Sequence, residues 1–188
     1  MPRARLTREA VVDLAVELVD TDGVDALTLA ALASRAGVAV PSLYKHVASL
    51  ADLRSAVTLV ALTEATRRSA AATVGRSGED ALKAWSRAVR EFAREHPGLY
   101  SYTQRISNDP ALGLAQVDAI QIVGAVLRGF GLSEARMVDA MRATRATVHG
   151  FVQLEANGGF GMPDDVNASF EALLDILVAG VSSFGAVH

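Results

Sequence analysis

Apolar residues recur along this chain at three- and four-residue steps, the period of a single buried helix face. From Thr7 to Asp20 the apolar set is Val11, Leu14, Ala15 and Leu18, with Thr7 suited to cap the start and Gly23 to end the helix. Thr28 opens a short second helix with Leu29, Leu32 and Ala33 on one face, and Gly37 closes it. A third begins near Val40 or Pro41 and runs through Leu43 and Tyr44 to about Val47. Proline is tolerated there because first-turn amides have no intrahelical acceptor. Ser49 starts a long helix over residues 50–75, with Leu53, Val57, Val60 and Ala61 inward, and Gly75-Arg76-Ser77-Gly78 breaks it. The pattern then predicts helices over 79–96 (Leu82, Trp85, Val89, Phe92) and, briefly, 98–105. Asn108-Asp109-Pro110 opens another to about Leu127, a Ser133 cap begins one to about Ala156, and a last covers 165–184. No stretch alternates with period two between strand-like flanks. The predicted fold is all-α with about nine helices, a small three-helix unit continuous with a helical body.

Composition narrows this further. The chain has 188 residues, 51% of them hydrophobic but only 5% aromatic, which favours packed helices over an aromatic-rich sheet. It has no cysteine, so no disulfide frame or thiolate metal site is available, and nothing points to an oxidising compartment. The basic start Met1-Pro2-Arg3-Ala4-Arg5 is not followed by an apolar run, which argues against a signal peptide. Leu173 to Val181 is too short to span a bilayer and contains Asp175. A cytoplasmic protein without a membrane partner is expected.

The net charge of −3 speaks mildly against a nucleic-acid partner. Residues 1–54 carry six basic groups (Arg3, Arg5, Arg8, Arg35, Lys45, Arg54) and seven acids (Glu9, Asp13, Glu17, Asp20, Asp22, Asp25, Asp52). Their distribution points the other way: the acids lie mostly in 9–25, while cations collect in the tail and near Lys45. Salt screens charges beyond about 10 Å, so the local patch decides what a phosphate feels.

Residues 28–46 have the anatomy of a helix-turn-helix: a short helix ended by glycine, a tight turn, and a second short helix. Val38 is placed to pin the turn, and Leu43 and Val47 point inward. Pro41, Ser42, Tyr44, Lys45 and His46 are then exposed, with hydroxyls that reach phosphate oxygens and a cation beside them. A helix this short suits insertion of its N-terminal turn into a major groove.

On Leu6-Thr7-Arg8-Glu9-Ala10, the Gly23 to Leu27-Thr28 step, and Ala36-Gly37-Val38-Ala39-Val40-Pro41-Ser42-Leu43-Tyr44-Lys45-His46-Val47, the chain resembles the DNA-binding domain of the TetR (tetracycline repressor) family. The likeness covers about residues 5–60, and Pro-Ser-Leu-Tyr-Lys-His-Val is especially similar to the founding repressor. It implies a helix-turn-helix DNA-binding domain at 1–48 and a helical regulatory and dimerisation domain at 49–188. It also implies phosphate contacts from Thr28, Ser42, Tyr44 and His46, with Val40, Pro41 and Lys45 at or near base edges. Ala39 starts the recognition helix where the family often has serine, losing a cap worth roughly 1 kcal/mol. Leu50 stands where lysine is common, removing one phosphate contact. DNA binding is then expected to be weaker or more dependent on the Arg3/Arg5 tail.

The body resembles a C-terminal class found behind TetR heads, marked here by Trp85 and His149-Gly150 with His96-Pro97-Gly98-Leu99-Tyr100 between them. It suits a small-molecule pocket with apolar walls drawn from Trp85, Phe92, Tyr100, Tyr102 and Phe130. Polar anchors come from Gln121, Arg142, Arg145, His149 and Gln153, and the expected ligand set is Trp85, Tyr102, Gln121, Arg145 and His149. The opposing reading pairs these polar groups with acids or leaves them in water. Met137, Met141, Val148 and Val152 on one helix, and Phe170, Leu173, Leu174, Leu177 and Val181 on the next, form apolar rows suited to association, with Gly180 allowing close approach. The resemblance implies a four-helix dimer interface there, and the opposing reading has these faces only filling the core of one subunit.

These readings converge on a homodimeric regulator, expected to be a repressor, of double-stranded operator DNA released by an unknown small-molecule effector. No cofactor, metal or catalytic residue is expected: His46, His96, His149 and His188 lack ligand spacing, and Gly158-Gly159-Phe160-Gly161 follows no strand. A helical adaptor for a protein partner and, further off, an enzyme assembled in space remain the competing classes.

Overall fold

The computed structural model describes residues 6–104 and 109–186. Nine α-helices and one 3-10 turn are found among them, with no strand: α1 (Arg8–Asp22), the turn Val24–Ala26, α2 (Leu29–Ala36), α3 (Val40–Leu43), α4 (Leu50–Thr73), α5 (Gly78–Glu95), α6 (Pro97–Thr103), α7 (Pro110–Arg128), α8 (Glu134–Ala156) and α9 (Val166–Ala186). Their starts follow the expected capping chemistry. Thr7 accepts from the Ala10 amide at 3.2 Å and Thr28 from Ala31 at 3.1 Å. The Asp109 carboxylate caps α7 through the Ala111 amide at 3.0 Å. Ser133 stands at the N-cap of α8 but makes no side-chain cap bond. α9 is capped by Asp165, whose Oδ1 accepts from the Asn167 amide at 2.9 Å.

The helices gather into two compact units. The first comprises residues 1–64 and 96–116, the second 65–95 and 117–188. This grouping differs from a division at residue 48, because α6 and the start of α7 belong with α1–α3. The reason is local: α1 packs on both α2 and α6. At the second contact Gly98 lies against the α1 backbone so closely that a β-carbon would sit 2.0 Å from the Val19 carbonyl oxygen. His96, beside it, hydrogen-bonds through Nδ1 to Asp20 Oδ2 at 2.6 Å. From α1 to α4 the core of this unit is aliphatic: Val11, Ala15, Val19, Leu27, Leu32, Leu43, Leu53 and Val57 are fully buried, while α6 adds the buried Tyr100 and Tyr102. Val60, expected inward, is instead exposed, because the inward row of α4 continues through Ala61 and Leu62.

In the second unit α5, α8 and α9 pack on one another. Phe151, Phe170 and Leu174 form a core cluster with Val166 and Leu173 against it. Arg90 is buried beside this cluster, its guanidinium 4.6 Å from the Phe170 ring centre. Burying a charge is costly unless it is paired. Here Arg90 is paired on both sides, with Nε and Nη2 donating to the two Glu155 oxygens at 2.8 and 2.6 Å and Nη2 also to Asn167 Oδ1 at 3.0 Å. One cation thereby joins α5, α8 and the first turn of α9.

The rows read from sequence as a dimer interface face the other way. Val148, Val152, Phe170, Leu174, Leu177 and Val181 are buried within the unit, and Met137, Met141 and Leu173 are half-buried. Ordinary core packing consumes most of these large side chains. What α8 and α9 turn outward are rows of mostly small residues, Ala143, Ala146 and Gly150 with Leu154 on α8, and Ala172, Ala179 and Ser183 with Ile176 on α9. α7 and α9 are long and apolar enough, by length and composition alone, to cross a membrane, which the nine-residue apolar stretch considered in the sequence did not reveal. In α9 that apolarity is divided between the core row and the outward face, and Asp175 is held by Lys83 at 2.8 Å.

Replacing Gly98 by alanine is expected to cost about 1–3 kcal/mol, because the close neighbour is backbone and one of the two helices must shift. Gly113, in the same unit, has nothing within 4 Å of its β-carbon position. Gly113→Ala is therefore expected to be neutral or to stabilise by up to about 1 kcal/mol through the higher helix propensity of alanine. Denaturant titration of the two variants checks the contrast.

Candidate nucleic-acid interface

A helix-turn-helix needs a stop, a tight turn and a second helix held at a fixed angle. Gly37 provides the stop, in a left-handed conformation (φ 65°, ψ 34°) that a side chain would resist. The amides of Gly37 and Val38 donate back to the Ser34 and Ala33 carbonyls at 3.1 and 3.0 Å, which turns the chain sharply. Ala39 then takes the N-cap position of α3 with extended backbone and no side-chain cap, and Pro41 fills the first turn where its missing N–H costs nothing.

Regular helix ends at Leu43, sooner than the expected Val47. The chain continues as a tight turn in which the amides of His46 and Val47 both donate to the Leu43 carbonyl, at 2.8 and 3.0 Å. The helical path thus persists for one further turn, and the side-chain directions survive. Leu43 and Val47 are 0% and 1% exposed and Tyr44 is 55% exposed. Thr28, Ala39, Pro41 and Lys45 are also exposed, while Val40, Ser42 and His46 are half-buried. The oxygen of Thr28 is occupied by the Ala31 amide, but its O–H proton remains free to donate outward. Arg3 and Arg5 lie outside the described residues.

Ion pairs sort the cations of this unit. Arg35 lies 3.8 Å from Glu17 and 3.7 Å from Asp22 on α1. Arg8 pairs with Asp52 at 2.6 Å. Among the described residues Lys45 and Arg54 have no ion-pair partner, so the exposed end of α3 carries an uncompensated positive charge. Sequence reasoning counted Arg8 among the basic groups and within the family motif, and Asp52 only as an acid, without joining them. In the structure both are tied to the turn after α3. The spacing Ser49-x-x-Asp52 was the available signal: Ser49 Oγ accepts from the Asp52 amide at 3.1 Å, and Asp52 reaches back to the Ala48 amide at 2.8 Å, a variant of the capping box.

The expected ligand residues are placed less uniformly. Tyr102 is buried in the first unit, whereas Trp85, Gln121, Arg145 and His149 belong to the second. Trp85 is buried and meets His149 edge-on, with ring centres 6.3 Å apart. Arg145 is half-buried, and Gln121, Arg142 and Gln153 are exposed. A cavity of about 750 Å³ in this unit lies elsewhere, lined by Arg87, Arg90, Arg94, Asn167 and Phe170 among others, and includes none of the expected ligand set. Among the described residues no group of three His, Asp or Glu side chains could hold a metal ion.

Two family models match this architecture. The one described as "Bacterial regulatory proteins, tetR family" covers residues 11–57, and the one described as "Tetracyclin repressor-like, C-terminal domain" covers 82–177, bracketing Trp85 and His149-Gly150. An uncharacterised HTH-type transcriptional regulator of Mycobacterium tuberculosis, Rv0681, is 37% identical over 95% of this chain and 83% of its own. The chain belongs to the TetR family of transcription regulators. Within that family, the class D tetracycline repressor of Escherichia coli is 50% identical over 44 residues, 23% of this chain and 20% of its own. A TetR variant from Acinetobacter baumannii, solved in complex with minocycline, superposes with a TM-score of 0.71 at 27% identity, covering 97% of this chain and all of the other. The all-α helix-turn-helix head and helical C-terminal region are thus those of a DNA-binding TetR-family regulator.

Burial, and next the nearby Arg145 cation, lower the His149 pKa to about 4. The unfolded chain binds that proton near the ordinary 6.5, so in between the unfolded state holds more protons and stability falls as pH falls. The melting temperature is expected to drop between about pH 7 and about pH 5, and His149→Gln to flatten that part of the profile. Calorimetry at a series of pH values measures the difference in slope.

Proposed function

We propose that this TetR-family regulator binds a palindromic operator as a homodimer, acts as a repressor, and is released by a small, largely apolar molecule. The observation that carries the reading is the orientation of α3, with Leu43 and Val47 buried and Pro41, Tyr44 and Lys45 turned outward, the lysine without an ion-pair partner among the described residues. In this reading residues 1–48 form the DNA-binding domain and 49–188 the regulatory and dimerisation domain. Val40, Pro41 and Lys45 approach base edges. Thr28, Ala39, Ser42, Tyr44 and His46 lie along the phosphates, and Arg3 and Arg5 add charge from the tail.

The dimer is assigned to the outward rows of α8 and α9. Small side chains there let helices approach closely, and Ile176, 71% exposed, supplies an apolar anchor between Ala172 and Ala179. Gly180 beside it has nothing within 4 Å of its β-carbon position. A two-fold pair sets two recognition helices about 34–36 Å apart, one turn of DNA. The effector is assigned to the second unit around Trp85 and His149, with Gln121 and Arg145 as the further candidates; Tyr102, expected with them, belongs to the first unit. Support comes from the minocycline held by the A. baumannii relative. α4 runs from the first unit into the second and is the proposed lever. To switch the population decisively the effector must favour one state by several kcal/mol. A cytoplasmic location follows from the DNA target.

Unbiased selection of duplexes by the purified protein is expected to recover a palindrome, and recovery of no palindrome contradicts the reading. Lys45→Ala is expected to weaken binding to the palindrome more than to random DNA in a competition titration, the mark of a lost contact near the base edges. Ile176→Glu places a charge in the proposed interface and is expected to yield a monomer by sedimentation velocity. An unchanged dimer mass removes α9 from the interface.

A further inference from the structure

Arg8, in the first turn of α1, crosses the unit to the segment that follows the recognition helix. Its Nη1 donates to the His46 carbonyl at 3.0 Å and to Asp52 Oδ2 at 2.9 Å, and its Nη2 donates to Asp52 Oδ1 at 2.6 Å. Asp52 Oδ2 also accepts from the Ala48 amide at 2.8 Å. One planar ion pair therefore holds three pieces of chain: α1 through Arg8, α4 through Asp52, and the turn between α3 and α4 through His46 and Ala48.

The two hydrogen bonds to that turn flank Val47, whose side chain is buried. Together they fix both the depth and the rotation of the segment carrying Tyr44, Lys45 and His46. A guanidinium bonded through two nitrogens to two oxygens is a directional joint, which a lysine ammonium cannot reproduce. Asp52 remains ionised far into acid, since Arg8 and then the Ala48 amide hold its carboxyl at about 2. Arg8 and Asp52 keep access to solvent, so the pair contributes little to global stability through charge alone. What it supplies is geometry.

We propose that Arg8 and Asp52 are positioning residues for DNA recognition, setting the angle of the Tyr44–His46 segment, and that Arg8 makes no phosphate contact of its own. This rests on the reading that residues 39–46 meet DNA. It makes an acidic residue close to the DNA face favourable for binding, the reverse of what charge alone predicts.

The test uses the full-length protein, with a duplex recovered by selection and a random duplex of equal length, titrated at several salt concentrations. The active fraction of each variant is fixed by stoichiometric titration, so a fold-only defect lowers that fraction and leaves Kd unchanged. Arg8→Ala, Arg8→Lys and Asp52→Asn are each expected to weaken binding to the selected duplex about tenfold, close to 1.4 kcal/mol. Affinity for random DNA and the salt slope are expected to stay as in the unsubstituted protein, because backbone contacts are intact. Should Arg8→Ala not fold, Arg8→Lys and Asp52→Asn carry the same comparison. Three results overturn the proposal: a slope reduced by about one with both duplexes weakened equally, which makes Arg8 a phosphate contact; tighter binding by Asp52→Asn; or an unchanged Kd in all three variants. Failure of the underlying reading is separate and shows in the unsubstituted protein, as equal affinity for the two duplexes.

Discussion

A helix of one turn has no stability of its own. Fixing the first turn orders several dihedrals for one hydrogen bond, and isolated helices shorter than about 12–15 residues are marginal in water. α3 has four regular residues, so everything that makes it a rigid presenting surface comes from outside it. Leu43 and Val47 anchor it in the aliphatic core, Gly37 sets its entry angle, and the Leu43 carbonyl ties down the turn beyond it. The outward direction of Tyr44 and Lys45 is a consequence of those inward anchors. Under the proposed function, any change that loosens the core beneath Leu43 acts on DNA recognition without touching a DNA-facing atom.

The same economy governs charge. An acidic protein meets a polyanion by neutralising its own cations selectively. Arg35 faces Glu17 and Asp22 on α1, Arg8 is held by Asp52, and Lys45, where α3 ends, has no ion-pair partner among the described residues. In the second unit the logic inverts, and Arg90 is drawn inside, where Glu155, Asn167 and two aromatic rings replace its water. Removing Glu155 would strand a buried cation, so that network resists piecemeal change.

How far the sequence reveals all this depends on range. Caps and stops are local, so the helix boundaries at Thr7, Thr28, Gly37 and Pro110 were legible from neighbouring residues. The period of apolar residues gave the helices and the inward pair Leu43 and Val47. It did not give the 3-10 turn at Val24–Ala26, which has no period to show. The outward faces of α8 and α9 also escaped. Their large residues, Val152, Phe170, Leu174 and Leu177, look like an interface but fill the core, and Ala146, Gly150 and Ala179 look unremarkable in composition although they form the exposed row. Contacts between residues far apart in the chain were not legible either. Arg8 with Asp52, His96 with Asp20 and Gly98 against Val19 each need the fold to bring them together. The ligand set shared that weakness: Trp85 and His149, distant in the chain, become ring neighbours only through the fold.

The central claim is that two symmetric copies of the Ala39–His46 segment enter successive major grooves. Methylation interference on a selected duplex tests it most directly, because guanine N7 lies in the major groove. The account predicts two clusters of interfering guanines, symmetric about the site centre and about 10 base pairs apart. A single cluster, or binding indifferent to N7 methylation and sensitive only to minor-groove modification, would contradict it.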